Sequence, residues 1–416
     1  MKRLRTALSL MPPVAFAALL ATPLAQNIFG FAPVRGLGGT VAADPEPAPR
    51  TLAAWHAGAI QDELEARAVK ALGLRDWMVR LDNQLKYWLF GSTKQPVVRG
   101  PGDWLVECGY LTARTHATVP VADQIMVAVY GLLLSQQVLA ENGITQILLI
   151  SPSKVETMPE HLPFPHRQVH EAAHPCDIDV LRGALRLVAL NQLDAQALFS
   201  EWHAKEPDYP LFPRSGTHWS HFAAARVVVS LLDAVERCAS LDVPSFDLAE
   251  PTLGRSTGPS EDDMLVMANL LDERGMRDPM PIPRLVPRAG DGGQECGVLM
   301  VTSSFGWLPM LRLAETSAFT PQTVYYYFRS AFDYTGTTVS EKRPIPEDPA
   351  ALRAEIARHR IVVVECNVSQ IRSLGYGFAQ AVVRAFGQPK QPIVLPPAAE
   401  IESVRAIATA ARRPGR

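Results

Sequence analysis

An excess of either charge is missing from this 416-residue chain, in which 40 Lys and Arg stand against 42 Asp and Glu, a formal net charge of −2. Acids and bases are mixed along its length, so there is neither a basic face nor an acidic tail, and nucleic acid is set aside as a partner. Cysteine is scarce, with five residues at 108, 176, 238, 296 and 366, and none has CxxC spacing. An oxidising compartment would allow two disulfides and one free thiol, but the spacing predicts no particular pairing. Cys296 and Cys366, in or beside apolar runs, read as buried structural thiols. Beyond the N-terminus no stretch reaches ~18 unbroken apolar residues, so the remainder reads as soluble. No internal repeat is found, which argues against a solenoid. What is present is ample apolar material: 47% hydrophobic residues support one large domain or two modest ones.

The N-terminus carries Lys2, Arg3 and Arg5, then the uncharged apolar run 7–25, then "PLA" at 23–25, suited to cleavage after Ala25. Residues 1–31 therefore read as a signal peptide or a membrane anchor, either of which sends the rest of the chain out of the cytoplasm. The predicted location is periplasmic, soluble after cleavage or held in the inner membrane by this segment. Residues 32–52, rich in Pro, Gly and Ala, read as a linker. One domain is predicted over 53–395, with an irregular insertion at 241–295, and a C-terminal tail at 396–416. Helical spacing occupies 53–73, 74–90, 121–144 and 220–240, the last capped by Ser220. A short strand or hairpin is expected over 102–111. Buried strands are predicted at 145–151, 323–328 and 360–367, and 296–315 reads as a buried strand, a small-residue turn and a helix. Apolar strands alternating with helices predict a mostly parallel sheet covered on both faces, whose active site gathers at the carboxyl ends of the strands.

Two stretches could carry acyl chemistry. "VLMVTSSFGW" runs from an apolar strand into Ser303 and Ser304 and then a helix, whose first N–H groups could hold an oxyanion. The bland alternative is a serine that only caps the helix. "RSGTHWSHF" places His218 before another helix, where it could act as the base that such a serine needs. Trp219 reads as core, and Arg214 as an anion or sugar ligand or a solvated charge. A separate signal, "HEAAH", satisfies the zinc-hydrolase pattern through His170, Glu171 and His174, but Pro165 and Pro175 leave barely two turns for it.

Six stretches in order resemble the AlgJ/AlgX-like family of polysaccharide O-acetylation proteins, which carry an SGNH-hydrolase-like domain. Residues 73–92 resemble the segment before that family's first strand. "VVRGPGDWL" is similar to its "GKDGWLF", and "SPSKVETMPEHLP" to "PNKxxxYPEYLP". "RSGTHWSHFAAA" resembles "RTDTHWNxxGA", "VLMVTSSFGW" the "GDSF" or "GTSY" element, and "IVVVECN" the last strand. The resemblance implies an α/β, SGNH-hydrolase-like (flavodoxin-like) three-layer fold. It makes Ser304 the nucleophile and His218 its base. Ser303, Phe305, Arg214, Ser215, Thr217 and Trp219 would support the site or bind substrate. It further implies an exopolysaccharide acceptor, alginate being the family's namesake polymer, a membrane-bound acyltransferase as acetyl donor, and no cofactor. Two departures stand out. The family's acid before the Thr-His-Trp is Gly216 here, and Thr302-Ser303 precede the serine, so the nucleophile could slip to Ser303. An acid from Asp247, Glu250, Glu261, Asp262 or Asp263 could orient His218; a Ser–His dyad could suffice; or the chain could be a non-catalytic subunit of an acetylation complex.

Overall fold

The structure, a computed structural model, describes residues 2–39, 46–93, 96–113, 118–171, 175–207, 209–238, 242–254, 260–288 and 296–410. The chain divides into two compact units, Met1–Val98 with Asp263–Gly275, and Arg99–Asp262 with Met276–Arg416.

The first unit is helical. Helix α1 (Lys2–Phe29) is followed by α2 (Leu52–His56), α3 (Ala59–Ala71) and α4 (Arg75–Phe90). Within α1, Pro12–Phe29 is long and apolar enough to cross a membrane. Helix α4 ends where Gly91 adopts the left-handed conformation and its N–H bonds back to Tyr87 O at 3.1 Å. The returning segment 263–275 contributes a short helix, Asp263–Ala268, and the backbone that follows it.

The second unit is a three-layer α/β sandwich around one seven-stranded sheet. Its strands are β1 (Thr145–Ser151), β2 (Gln192–Asp194), β3 (Val298–Thr302), β4 (Gln322–Tyr326), β5 (Ser330–Thr335), β6 (Thr338–Val339) and β7 (Ile361–Asn367), in the spatial order β6-β5-β4-β3-β7-β1-β2. From β4 to β2 every pairing is parallel; β5 and β6 add an antiparallel edge. The central strands β3 and β7 are buried along their whole length, as continuous apolar runs in a doubly covered sheet must be. The pleat divides their side chains between two cores. Leu299, Val301, Val362 and Val364 pack on one face beneath α5 (Val119–Ala140) and α6 (Asp177–Leu185). Val298, Met300, Ile361 and Val363 pack on the other, beneath α7 (Ala195–Lys205), α8 (His221–Cys238) and α9 (Trp307–Thr316).

The mostly parallel sheet, covered by helices on both faces, is the three-layer α/β architecture expected. The segment expected as a strand or hairpin at 102–111 is instead a three-residue strand, Leu105–Glu107, that passes directly into a helix, Cys108–Ala113. The 241–295 stretch contains paired short strands, Phe246–Leu248 with Leu285–Pro287 and Thr252–Gly254 with Met280–Ile282. All five cysteines are free thiols, with Cys296 and Cys366 buried.

Candidate active site

The carboxyl ends of β1, β3 and β7 lie side by side, with Asn367 paired to Ser151 and Val364 to Val301 in the parallel ladders. After β3 the chain turns through Ser303 into a single 3-10 turn, Ser304–Gly306, and then α9. The turn is tight at Gly306: a Cβ there would lie 2.1 Å from Thr302 Oγ1 and 2.6 Å from Thr302 Cβ, so only glycine fits. Ser303 is fully buried and its hydroxyl points inward, 2.8 Å from Glu365 Oε2, while also accepting from Phe305 N at 3.2 Å. Ser304, one residue on, faces the opposite way. Its Oγ lies 2.8 Å from His218 Nε2, and in the tautomer carrying its proton on Nδ1 the imidazole accepts the serine hydroxyl. Of the two serines, Ser304 is the one bonded to the His218 imidazole.

His218 is held by its neighbours in the chain. Trp219 is fully buried and lies between Phe199 and Phe305, with ring centroids 5.9 Å and 5.7 Å away. Phe305 in turn packs against the His218 ring at 4.7 Å. Trp219 is therefore an anchor within the core, and Phe305 the wall against which the imidazole rests. Ser220 closes the loop: its N–H bonds to Leu211 O at 2.8 Å and its hydroxyl caps α8 through Ala223 N at 3.1 Å.

Gly216 occupies a place with no room for a side chain. A Cβ there would lie 2.7 Å from Glu261 O and 2.9 Å from Pro213 Cγ. Ser215 fixes the same approach by donating to Glu261 O at 3.0 Å, or to Asp262 Oδ1 at 2.7 Å. From the other side the buried Lys154 ammonium donates to Gly216 O and, at 3.0 Å, to Leu105 O. Thr217 is buried. Arg214 is partly exposed and already engaged: it pairs with Asp278 at 2.7 Å and donates to Gly102 O at 3.1 Å. It lines a recess of about 370 Å³ with Ser215, Glu261, Asp262 and Arg277, and Arg277 pairs with Asp262 at 2.6 Å.

The other carboxylates weighed as a third group have partners of their own. Asp247 pairs with Arg288, Glu250 accepts from Tyr209 Oη, Glu261 accepts from His221 N, and Asp263 from Met264 N. The N–H groups of Phe305 and Gly306, expected as oxyanion donors, are taken by the turn itself, through Ser303 Oγ at 3.2 Å and Ser303 O at 3.3 Å. The Ser304 N–H opens the 3-10 turn, where no acceptor within the turn exists for it.

In the zinc motif, His170 lies on the helix Phe164–Glu171 with Nε2 3.5 Å from Glu156 Oε2. The Glu171 side chain and residues 172–174, including His174, lie outside the described residues. Among the described residues no group of three His, Cys, Asp or Glu could hold a metal.

One residue that the motifs did not single out stands at the centre of the site. Glu365, on β7, is fully buried directly below the serine turn. Its Oε2 accepts from Ser303 N at 2.7 Å and lies 2.8 Å from both Ser303 Oγ and Thr302 Oγ1, while Oε1 accepts from Ser151 Oγ. Burial pushes its carboxyl above the ordinary range, against the pull of these donors. A lone acid inside "IVVVECN" was the available signal.

Residues 97–294 match the family model described as the SGNH hydrolase-like domain of the acetyltransferase AlgX. This segment, just under half of the chain, is similar to an AlgX-type SGNH hydrolase-like domain. The matched span includes His218 and Gly216 and ends before Ser303. Among solved structures, the chain is similar to the O-acetyltransferase domain of Pseudomonas putida AlgJ, at 17% identity and a TM-score of 0.40, covering 66% of this chain and 92% of that one. It is similar to Pseudomonas aeruginosa AlgX at 13% identity and a TM-score of 0.42, covering 71% and 69%. It is also similar to Bacillus cereus PatB1 at 12% identity and a TM-score of 0.41, covering 67% and 98%. No curated protein gives a significant match.

Proposed function

We propose that this chain is a periplasmic O-acetyltransferase acting on an exopolysaccharide through an acetyl ester of Ser304. The observation that carries the reading is the 2.8 Å contact between Ser304 Oγ and His218 Nε2 at the carboxyl edge of an AlgX-type sheet. In the first half-reaction His218 Nε2 takes the Ser304 proton as Oγ attacks the donor's acetyl carbonyl. The collapsing intermediate then expels the donor's leaving group, which takes that proton from His218. In the second half-reaction His218 removes a proton from a sugar hydroxyl as its oxygen attacks the serine ester, and the departing Ser304 oxygen takes that proton back from His218. The Ser304 N–H is our candidate for one oxyanion donor. Arg214, which lines the recess beside the His218 loop and would exchange Asp278 for the acceptor, is our candidate for acceptor binding. A membrane-bound acyltransferase would supply the acetyl group.

Incubation with an activated acetyl ester, followed by mass spectrometry, tests the reading. One acetyl group is expected on the peptide containing Ser304, and S304A should lose the adduct and reduce ester turnover by roughly 10³-fold or more. Undiminished turnover by folded S304A would refute it, and an unlabelled wild type would point to a non-catalytic subunit.

A further inference from the structure

Helix α4 is built inside out. Taking 100° per residue, Trp77, Met78, Leu81, Leu85, Trp88 and Leu89 fall within an arc of about 120°. All six are exposed, Trp88 by 60% and Leu89 by 70%. On the opposite arc, Arg80, Asn83 and Gln84 are at most 2% exposed. Their burial is satisfied by backbone. Arg80 donates to Arg35 O, Gly36 O and Leu270 O, Asn83 to Ala268 O, and Gln84 Oε1 accepts from Leu271 N and Asp272 N. Among the described residues the apolar arc is thus left without a partner while the buried polar side chains are engaged. A helix in a water-soluble unit has the reverse arrangement.

The end of α1 is joined to the start of α4. Gln26 Oε1 accepts from Leu74 N at 3.2 Å, Asn27 donates to Ala71 O at 2.6 Å, and the Trp77 indole donates to Ala32 O at 2.7 Å. Gly73 sits against the same helix end, where a Cβ would lie 1.9 Å from Pro23 O. The apolar segment Pro12–Phe29 therefore runs directly into the level at which α4 begins. Arg75 and Lys86 flank the apolar arc, paired with Asp76 at 3.3 Å and with Asp82 at 2.6 Å, and can exchange these carboxylates for anionic headgroups.

We propose that α4 lies along the membrane surface, with the stripe from Trp77 to Leu89 sunk into the boundary between headgroups and acyl chains. Tryptophans at 77 and 88 suit that boundary, where an indole keeps its ring in the apolar layer and its N–H near polar groups. The occupant of the stripe is lipid, and the inference is independent of any chemistry at Ser304.

The test uses the full chain reconstituted in phosphatidylethanolamine–phosphatidylglycerol vesicles, with and without brominated acyl chains. Subtracting the fluorescence of W88F, a substitution that leaves the buried face untouched, isolates Trp88 among the seven tryptophans. The expected result is a Trp88 emission shifted to shorter wavelength, largely lost in brominated lipid and resistant to acrylamide. An emission quenched by acrylamide and indifferent to bromine would overturn the proposal, because the stripe would then face water. Protection from both quenchers would overturn it too, because the stripe would then be covered by protein.

Discussion

Placing at position 216 the acid that the family resemblance implies, through Gly216→Asp, should not build a triad; it should break the loop. The Cβ alone would come within 2.7 Å of Glu261 O and 2.9 Å of both Glu261 C and Pro213 Cγ. Two of these contacts are with backbone, which cannot rotate away, so residues 260–262 must shift. Overpacking of this kind costs about 1–3 kcal/mol. The shift also stretches the 3.0 Å bond from Ser215 Oγ to Glu261 O, worth about 1 kcal/mol. The new carboxylate would stand beside the Glu261 and Asp262 segment, which adds like-charge repulsion. The sum is a loss of about 2–4 kcal/mol, or a fall in Tm of roughly 5–10 °C. Thermal unfolding by circular dichroism reads the stability, and hydrolysis of an activated acetyl ester reads the function. Gly216→Ala isolates the Cβ and should show most of the same destabilisation without the charge. A G216D protein as stable as wild type, with raised kcat/KM, would refute the steric argument and show that the loop admits a third group.

The two serines should separate cleanly: S303A keeps the Ser304–His218 contact and should lose about 1 kcal/mol of stability with the helix cap, while retaining far more acetyl-ester turnover than S304A. Glu365→Gln should show the sign of a raised carboxyl. Between the unfolded and folded pKa values the native state holds more protons, so wild-type stability falls as pH rises. The stability advantage of wild type over E365Q, read from urea unfolding, should therefore shrink as pH rises through that window. His359 is pushed down to about 4, mainly by burial, and stays neutral where an unfolded histidine is charged. Its contribution to stability is lost as pH falls from 6.5 toward 4, and His359→Gln should flatten the pH dependence of the urea midpoint over that range.

Much of the sheet was legible because the central strands are written as unbroken apolar runs, and burial on both faces requires just that. The serine turn was legible for a similar local reason: strand, small polar residues and helix follow one another within ten positions. The choice between Ser303 and Ser304 was not, since it depends on which hydroxyl Glu365 engages, and Glu365 is 62 residues away from Ser303. Local spacing also could not show that the N–H groups of Phe305 and Gly306 would be consumed by Ser303.

The segment read as an irregular insertion explains two of the sequence's oddities, and in both cases through its backbone. Glu261 lays its carbonyl against residue 216, so the position of the family's acid can hold only a glycine. Residues 268–272 offer carbonyls and N–H groups to Arg80, Asn83 and Gln84, so the polar side of α4 turns inward. Helical periodicity correctly marked α4 as a helix but carries no sign for which face is buried; the usual assignment of the apolar face to the core assumes water outside. Backbone groups have no residue signature, so a chain that satisfies its buried polar side chains with loop carbonyls hides the arrangement from any reading by residue type. Gly216 and the reversed α4 are the marks it leaves: a missing side chain where a carbonyl sits, and buried polar residues where the peptide groups of another segment supply the bonds.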